Sequence, residues 1–305
     1  MSLHPSLVSL RCFDASARLQ SFTKAGLELH LTQGAVSLQI IRLEAHLGVA
    51  LFARQHSGVQ LTAAGRAYWM EISPALRQIE RATQNMVTHK GEGGALNLCV
   101  ASSFATHWLI PRLSGFVAAH PEVTLNLSTH IGPVDFSSSP HDAAIEFCEG
   151  ATAGLYAVQV LPLELQAYAA PGLRNATAKG DLAPCQSEAA LVELLDTGPL
   201  IRHTTVPRAW IGWLTDAGLL DQVQPRQLDS GPQYDLLSMA LNAAIAGLGV
   251  ALLPSFMTGA ATASGQLDKL SEKTWRSEKA YYLRYPDWKS EVTALQRFQH
   301  WLSAA

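Results

Sequence analysis

Apolar residues at helical spacing open the chain. Leu7, Leu10, Phe13 and Ala17 recur at intervals of three and four after Pro5 and predict a first amphipathic helix. Ser21 is placed to cap a short second helix over 22–29, and Thr32 a third that runs to Leu47 and stops at Gly48. On that third helix Val36, Ile40, Leu43 and Leu47 form one stripe, which predicts a face turned to a core. The opposite side carries Gln33, Gly34, Ser37, Leu38, Ile41 and Arg42. Such a face suits a major groove: Gln33 and Arg42 can hydrogen-bond bases or phosphates, Ser37 is small enough for close approach, and Leu38 and Ile41 can touch thymine methyls. A plain three-helix packing module has the same periodicity, which by itself does not choose between the two.

Further along, Trp69, Ile72, Leu76, Ile79, Thr83 and Met86 step alternately by three and four, an a/d seam interrupted by Thr83. This predicts a long helix over 66–90 that either pairs with a second copy or lies on its own domain. Pro74 inside it predicts a kink or a restart, and Gly91-Glu-Gly-Gly94 predicts a break that serves as a hinge. The period then changes. Residues 96–100 and 123–127 alternate like strands around a helical stripe at 108–117, which is a βαβ unit and implies a parallel sheet. Further strands are expected at 143–147, 157–161 and 165–169, with helices at 209–220 and 236–246. The second of these runs into Gly247-Leu-Gly-Val-Ala-Leu-Leu-Pro254, an apolar strand.

At 305 residues the chain has room for two domains of roughly 150 residues each. It is 48% hydrophobic and only 15% charged, a globular balance. No apolar run reaches the roughly 18 residues of a spanning helix and the start lacks a signal-peptide core, so a cytoplasmic protein with no membrane partner is expected. Cys12, Cys99, Cys148 and Cys185 are scattered and form no C-x-x-C pair, which suggests neither a disulfide framework nor a zinc site. The net charge of −3 argues against a nucleic-acid binder until it is divided along the chain. Residues 1–65 hold Arg11, Arg18, Lys24, Arg42 and Arg54 against Asp14, Glu28 and Glu44, so a basic head precedes an acidic body, and a dimer doubles the head's charge. No nucleophile elbow, P-loop, zinc-protease or dinucleotide-binding motif occurs, so neither catalysis nor a cofactor nor a metal is expected. A small-molecule-binding transport component and an α/β enzyme with a fused DNA-binding head are the competing readings.

Resemblance separates these. Ser21-Phe-Thr-Lys-Ala, Leu31-Thr-Gln-Gly-Ala-Val-Ser-Leu-Gln-Ile-Ile-Arg-Leu-Glu44, Leu47-Gly-Val-Ala-Leu-Phe-Ala-Arg54 and Leu61-Thr-Ala-Ala-Gly65 resemble, in order and spacing, the DNA-binding domain of LysR-type transcriptional regulators. The body resembles that family's regulatory domain more loosely. The resemblance implies an α/β protein with a winged helix-turn-helix head (1–65), a dimerising linker helix (66–90) and a two-lobed regulatory domain like a periplasmic binding protein (91–305). Lobe I would span about 95–168 and 275–305, and lobe II about 169–274. It also implies a homodimer or homotetramer on a partly palindromic promoter in double-stranded DNA, Gln33, Ser37, Leu38 and Arg42 reading it and Arg54 holding a phosphate in the wing. Trp69, Ile72, Leu76, Ile79 and Met86 would form the dimer seam.

A small-molecule effector would lie between the lobes. Ala101-Ser-Ser-Phe-Ala-Thr106 joins the first strand of the body to its first helix, where free N–H groups and the hydroxyls of Ser102, Ser103 and Thr106 suit an anion such as a carboxylate. The two serines equally suit simple helix capping. By resemblance Arg202, His203 and Ser230 line the cleft from lobe II, although Arg202 and His203 also read as solvated surface. Three positions depart from the family's pattern: Ile41 and Ser57 stand where basic residues are frequent, and Asp142-Ala-Ala-Ile-Glu146 has an acid where an arginine is usual.

Overall fold

A computed structural model describes residues 4–55, 58–89, 94–130, 132–173 and 188–304; the side chains of 54, 55, 81 and 84–89 lie outside the description. Two compact units divide it, 1–90 and 91–305.

The first unit is built on the caps read from the sequence. Ser6, Ser21 and Thr32 accept from the backbone N–H groups of Ser9, Lys24 and Ala35 and start helices α1 (Leu7–Leu19), α2 (Phe22–Leu29) and α3 (Gln33–Leu47). Each cap satisfies a first-turn donor that would otherwise go unpaired. Gly48 ends α3 in the left-handed conformation. Gly26 is required by packing: a Cβ there would stand 2.6 Å from the Leu31 carbonyl oxygen, inside the turn that sets α3 against α2. Cys12, Phe13, Ala25, Val36, Ile40, Leu43 and Leu51 make the core, with the Phe13 ring edge-on to Phe52 at 5.6 Å. Glu44 fixes the chain beyond α3, because its Oε1 accepts from the N–H groups of Leu51 and Phe52 at 2.7 and 3.1 Å and so anchors the hairpin β1 (Phe52–Gln55) and β2 (Gly58–Leu61).

Helix α4 (Ala63–His89) runs unbroken through Pro74, so the expected restart is absent. Proline costs a helix its own N–H, and the flanking turns hold regardless. Thr62 caps it by accepting from the Gly65 N–H at 2.9 Å. The hinge residues Gly91, Glu92 and Gly93 lie outside the described residues; Gly94 begins the first strand of the body.

In the second unit, β3 (Gly94–Val100) pairs in parallel with β4 (Val123–Ser128), as the βαβ pattern predicts, and on its other side in parallel with β5 (Ala143–Cys148). The helix expected between them is irregular: a turn at Ser102–Phe104, a π-helical turn at Ala105–Leu109, a 3-10 turn at Ile110–Arg112 and the regular helix α5 (Leu113–Ala119). Pro111 breaks the regular ladder there. The strands expected at 157–161 and 165–169 are one, β6 (Leu155–Ala169). It runs antiparallel to β11 (Trp275–Pro286) along nearly its whole length, and Pro162 is accommodated at an irregularity where residues 277–279 bulge opposite Leu163. Beyond β6 the sheet continues through β9 (Val250–Leu253), β7 (Leu200–His203) and β8 (Gln233–Tyr234), while β10 (Asp268–Lys269) pairs β6. Helix 209–220 is shorter than expected, Ala209–Ala217, because Gly218 takes the left-handed C-cap. Helix Leu237–Ile245 precedes the fully buried β9 as the sequence suggests.

Gly65 sits where α4 crosses the Leu51 backbone, and a Cβ would overlap the Leu51 carbonyl. Gly65→Ala is therefore expected to lower unfolding free energy of the 1–90 unit by about 1–3 kcal/mol, the scale of overpacking. Urea denaturation followed by tryptophan emission from Trp69 reads this; an unchanged midpoint would show that the crossing yields without cost.

Candidate functional site

The first candidate surface is the outer face of α3. Val36, Ile40 and Leu43 are buried, which turns Gln33, Leu38, Ile41 and Arg42 to solvent and leaves Ser37 half-buried between them. Four of the five residues assigned to DNA thus share one exposed helix or its edge. The fifth, Arg54, has its backbone in β1 opposite Val59 and its side chain outside the described residues, as is Ser57 altogether. Arg18 is committed to Glu28, so that basic charge of the head is already paired.

The proposed seam on α4 divides. Trp69 is taken up by its own unit: it packs on the head core and its indole N–H donates to Asp14 at 2.9 Å. Leu76 is buried within the single chain and Ile72 half-buried, whereas Ile79 is exposed, as is Met70. The Met86 side chain lies outside the described residues. The heptad reading failed to separate these because an a/d stripe looks alike whether it meets a second copy or its own domain.

The second candidate site is a cavity of about 430 Å³ in the body, within the range of small-molecule sites. The loop after β3 brings Ala101, Ser102 and Ser103 to it, and β5 brings Ile145 to Cys148. The end of β7 supplies His203, and the segment before helix Leu237–Ile245 supplies Asp235 and Leu236. The central strands supply Leu163, Lys279, Tyr281 and Arg284. Three expected residues therefore meet here: Ser102, Ser103 and His203. The other three do not. Thr106 is exposed and donates to the Ser102 carbonyl at 3.1 Å; Arg202 donates its Nε–H to the Gly231 carbonyl at 3.2 Å and faces Asp229; Ser230 bonds Gln227. All three lie off the cavity wall. Alternation decides Arg202 against His203, since neighbours on a strand face opposite sides.

Ser103 does more than line the wall. Its Oγ accepts from the Ser238 N–H at 2.9 Å and ties the loop after β3 to the far side of the cleft. In His203, Nδ1 accepts from the Thr205 N–H, 3.3 Å away, and faces the Thr205 hydroxyl at 2.7 Å. The proton is then on Nε2, which is buried without a partner. Burial holds the imidazole down to about 4, with Asp235 opposing, so at neutral pH it is an uncharged donor. Burial also pushes the Tyr281 phenol up.

Glu146, which the sequence sets in an arginine's place, is 9% exposed and carries no free charge. Arg284 on β11 donates Nη1–H to its Oε2 at 2.7 Å, the Val134 N–H donates to Oε1 at 2.5 Å, and Arg284 Nη2 donates to Thr152 at 2.8 Å. The positive charge is present after all, one strand over. Sequence reasoning missed Arg284, and the available signal was a lone arginine within the apolar run Ala280–Tyr285.

A capped helix with an exposed outer face beside a β-hairpin has the form of a winged helix-turn-helix, and a mixed sheet around a cavity that of a ligand-binding body. The family described as bacterial regulatory helix-turn-helix proteins, lysR family, matches residues 7–66, and the LysR substrate binding domain matches 89–305. The chain belongs to the LysR family. It is 32% identical over 305 residues to the glycine cleavage system transcriptional activator of Escherichia coli K12, covering 98% of this chain and 93% of that one. The transcriptional activator AmpR of Rhodobacter capsulatus is 33% identical over 298 residues, 97% and 96% of the two chains. The effector domain of AmpR from Pseudomonas aeruginosa superposes with a TM-score of 0.58 at 28% identity, covering 69% of this chain and 94% of that one. Full-length CrgA of Neisseria meningitidis shares the fold at a TM-score of 0.54 and 22% identity, over 99% of each chain. Among the described residues no helix is long and apolar enough to cross a membrane.

The His203 geometry fixes a pH dependence. A base whose folded value is about 4 against an ordinary 6.5 binds fewer protons folded than unfolded between those limits, so stability of the body falls as pH drops from 6.5 to 4. His203→Gln, which keeps a donor without titrating, is expected to flatten that fall in urea melts at pH 7 and 4.5. A ring resonance titrating at 6.5 in the folded protein would contradict the assignment.

Proposed function

We propose that this LysR-family chain is a sequence-specific transcription regulator that reads promoter DNA through the outer face of α3 and the wing, and whose contacts change when a small organic effector fills the cavity of the body. The observation that carries the reading is the union in one chain of an exposed, capped α3 bearing Gln33, Leu38 and Arg42 with a walled cavity in the body. The Escherichia coli and Rhodobacter capsulatus relatives named above are transcriptional activators, which favours regulation over catalysis and transport.

A carboxylate-bearing effector is supported by the residues on the wall, which include the hydroxyl-bearing Ser102 and Ser103, His203 and the cations Lys279 and Arg284. Arg202 is replaced in this role by Arg284. An effector that engages both Ser102 and His203 spans the cleft that Ser103 and Ser238 already bridge, and so favours one arrangement of the lobes by its differential contacts. For assembly as a homodimer or homotetramer on a partly palindromic site, Ile79 is, among the described side chains of the seam, the one that is exposed.

Arg42→Ala and Gln33→Ala are each expected to weaken specific DNA binding by about 1–3 kcal/mol, the size of a lost base contact, with folding intact. Gel-shift affinities unchanged for both would remove α3 as the reading helix. Ile79→Asp is expected to shift sedimentation from oligomer toward monomer, because an unpaired charge would enter the seam; persistence of the parent oligomer would place the interface elsewhere.

A further inference from the structure

Helix α3 carries two apolar stripes. Val36, Ile40, Leu43 and Leu47 follow i, i+4, i+7 and i+11, and Gly34, Leu38, Ile41 and Ala45 follow the same steps two residues behind. At about 100° per residue the second stripe lies almost opposite the first. The first is accounted for, since its residues form or pack on the core of the head. The second is not. Leu38 is 47% exposed and Ile41 51%, Gly34 and Ala45 are exposed as well, and none of the four belongs to that core. A helix apolar on both sides is expected where both sides are covered.

Gly34 points the same way. It stands in the first turn of α3 without a left-handed angle, and a Cβ added there would meet nothing within 4 Å. Among the described residues nothing asks for glycine at this position, where alanine is the better helix former. A gap at the start of an exposed stripe suits the close approach of another molecule. The unit that carries the stripe, residues 7–66, matches a DNA-binding family, so the cover is duplex DNA. Polar Gln33 and Ser37 flank the stripe on one side and Arg42 on the other. The apolar group that a major groove offers to its centre is the C5-methyl of a pyrimidine.

We propose that Gly34, Leu38 and Ile41 read C5-methyl groups in the major groove, so that one or two positions of each half-site are specified by thymine, or by 5-methylcytosine where cytosine is methylated. The inference rests on α3 being the reading helix. Leu38 and Ile41 stand about 4.5 Å apart along the helix axis, close to the rise of about 3.4 Å between bases of one strand, so they reach neighbouring base pairs. Gly34 supplies the clearance, and Gln33 and Arg42 the hydrogen bonds beside the methyl contacts.

The test selects duplexes from a random library with the full chain and then alters one methyl at a time in the selected site. Replacing thymine by deoxyuridine removes the methyl and keeps every hydrogen-bonding group. At one or two positions of each half-site this is expected to weaken binding about fourfold, the size of one buried methyl. Cytosine placed there is expected to gain a similar factor when 5-methylcytosine replaces it. Leu38→Ala and Ile41→Ala change exposed side chains, and each is expected to lose the discrimination between thymine and deoxyuridine at one position. Gly34→Ala is expected to leave the thermal midpoint unchanged or higher, and to weaken binding to the selected site at least about tenfold by overlap with the DNA. Deoxyuridine tolerated at every position, or a thymine preference that survives in both alanine variants, would overturn methyl reading while leaving α3 in the groove. Gly34→Ala binding as tightly as the wild type would overturn the close approach. Affinity untouched by Gln33→Ala and Arg42→Ala as well would instead overturn α3 as the reading helix, on which the inference rests.

Discussion

Everything in the body depends on the antiparallel ladder between β6 and β11. These two strands are long enough to take part in both halves of the sheet: β11 pairs β5 on one side, β6 pairs β9 on the other, and they pair each other from Trp275 opposite Leu165 to Pro286 opposite Leu155. The cavity opens beside this ladder, and Leu163, Lys279, Tyr281 and Arg284 reach it from the two strands. The bulge at 277–279 is part of the arrangement, since it lets Pro162 stay within the ladder opposite Ala280.

A buried charge is tolerable only when it is paired and hydrogen-bonded, and the body observes this strictly. Asp142 accepts from the Asn97 backbone and side chain and meets Lys289, which locks the start of β5 to β3. Glu146 does the same at the other end of β5, holding Val134 and Arg284. The acid in place of an arginine is therefore no loss of charge at the site. The pair lies across two neighbouring strands, with Glu146 on β5 and Arg284 on β11.

The head is organised by the backbone rather than by charge. Three hydroxyl caps, a glycine that admits a close turn and one glutamate that holds the wing's base fix α3 relative to α1 and α2. With the inner stripe buried, the outer face is exposed without any further interaction, because a helix has only one other side. In this way capping chemistry local to a few residues becomes the geometry of a reading surface.

Elements whose signals are local were legible in the sequence. The bounds of α2 and α3, the inner stripe of α3, the parallel β3–β4–β5 unit and the buried β9 all come from caps, glycines and period, which act within a few residues. Ser102 and Ser103 were reachable because they follow a strand whose end points at the cleft, and His203 only through the family resemblance. Features that depend on partners far along the chain were decided by the tertiary structure alone. Pro162 reads as a strand end and instead sits within one long β6, because β11 absorbs it at a bulge. Trp69 reads as seam, and the fold also gives it a bond to Asp14, 55 residues earlier. Arg202 and Arg284 are equally plausible anion partners by type, yet one is spent on Gly231 and the other lines the cavity. Sequence carries period and propensity, which are properties of neighbours. Which buried donor keeps a free N–H is a property of packing, and only the folded chain fixes it.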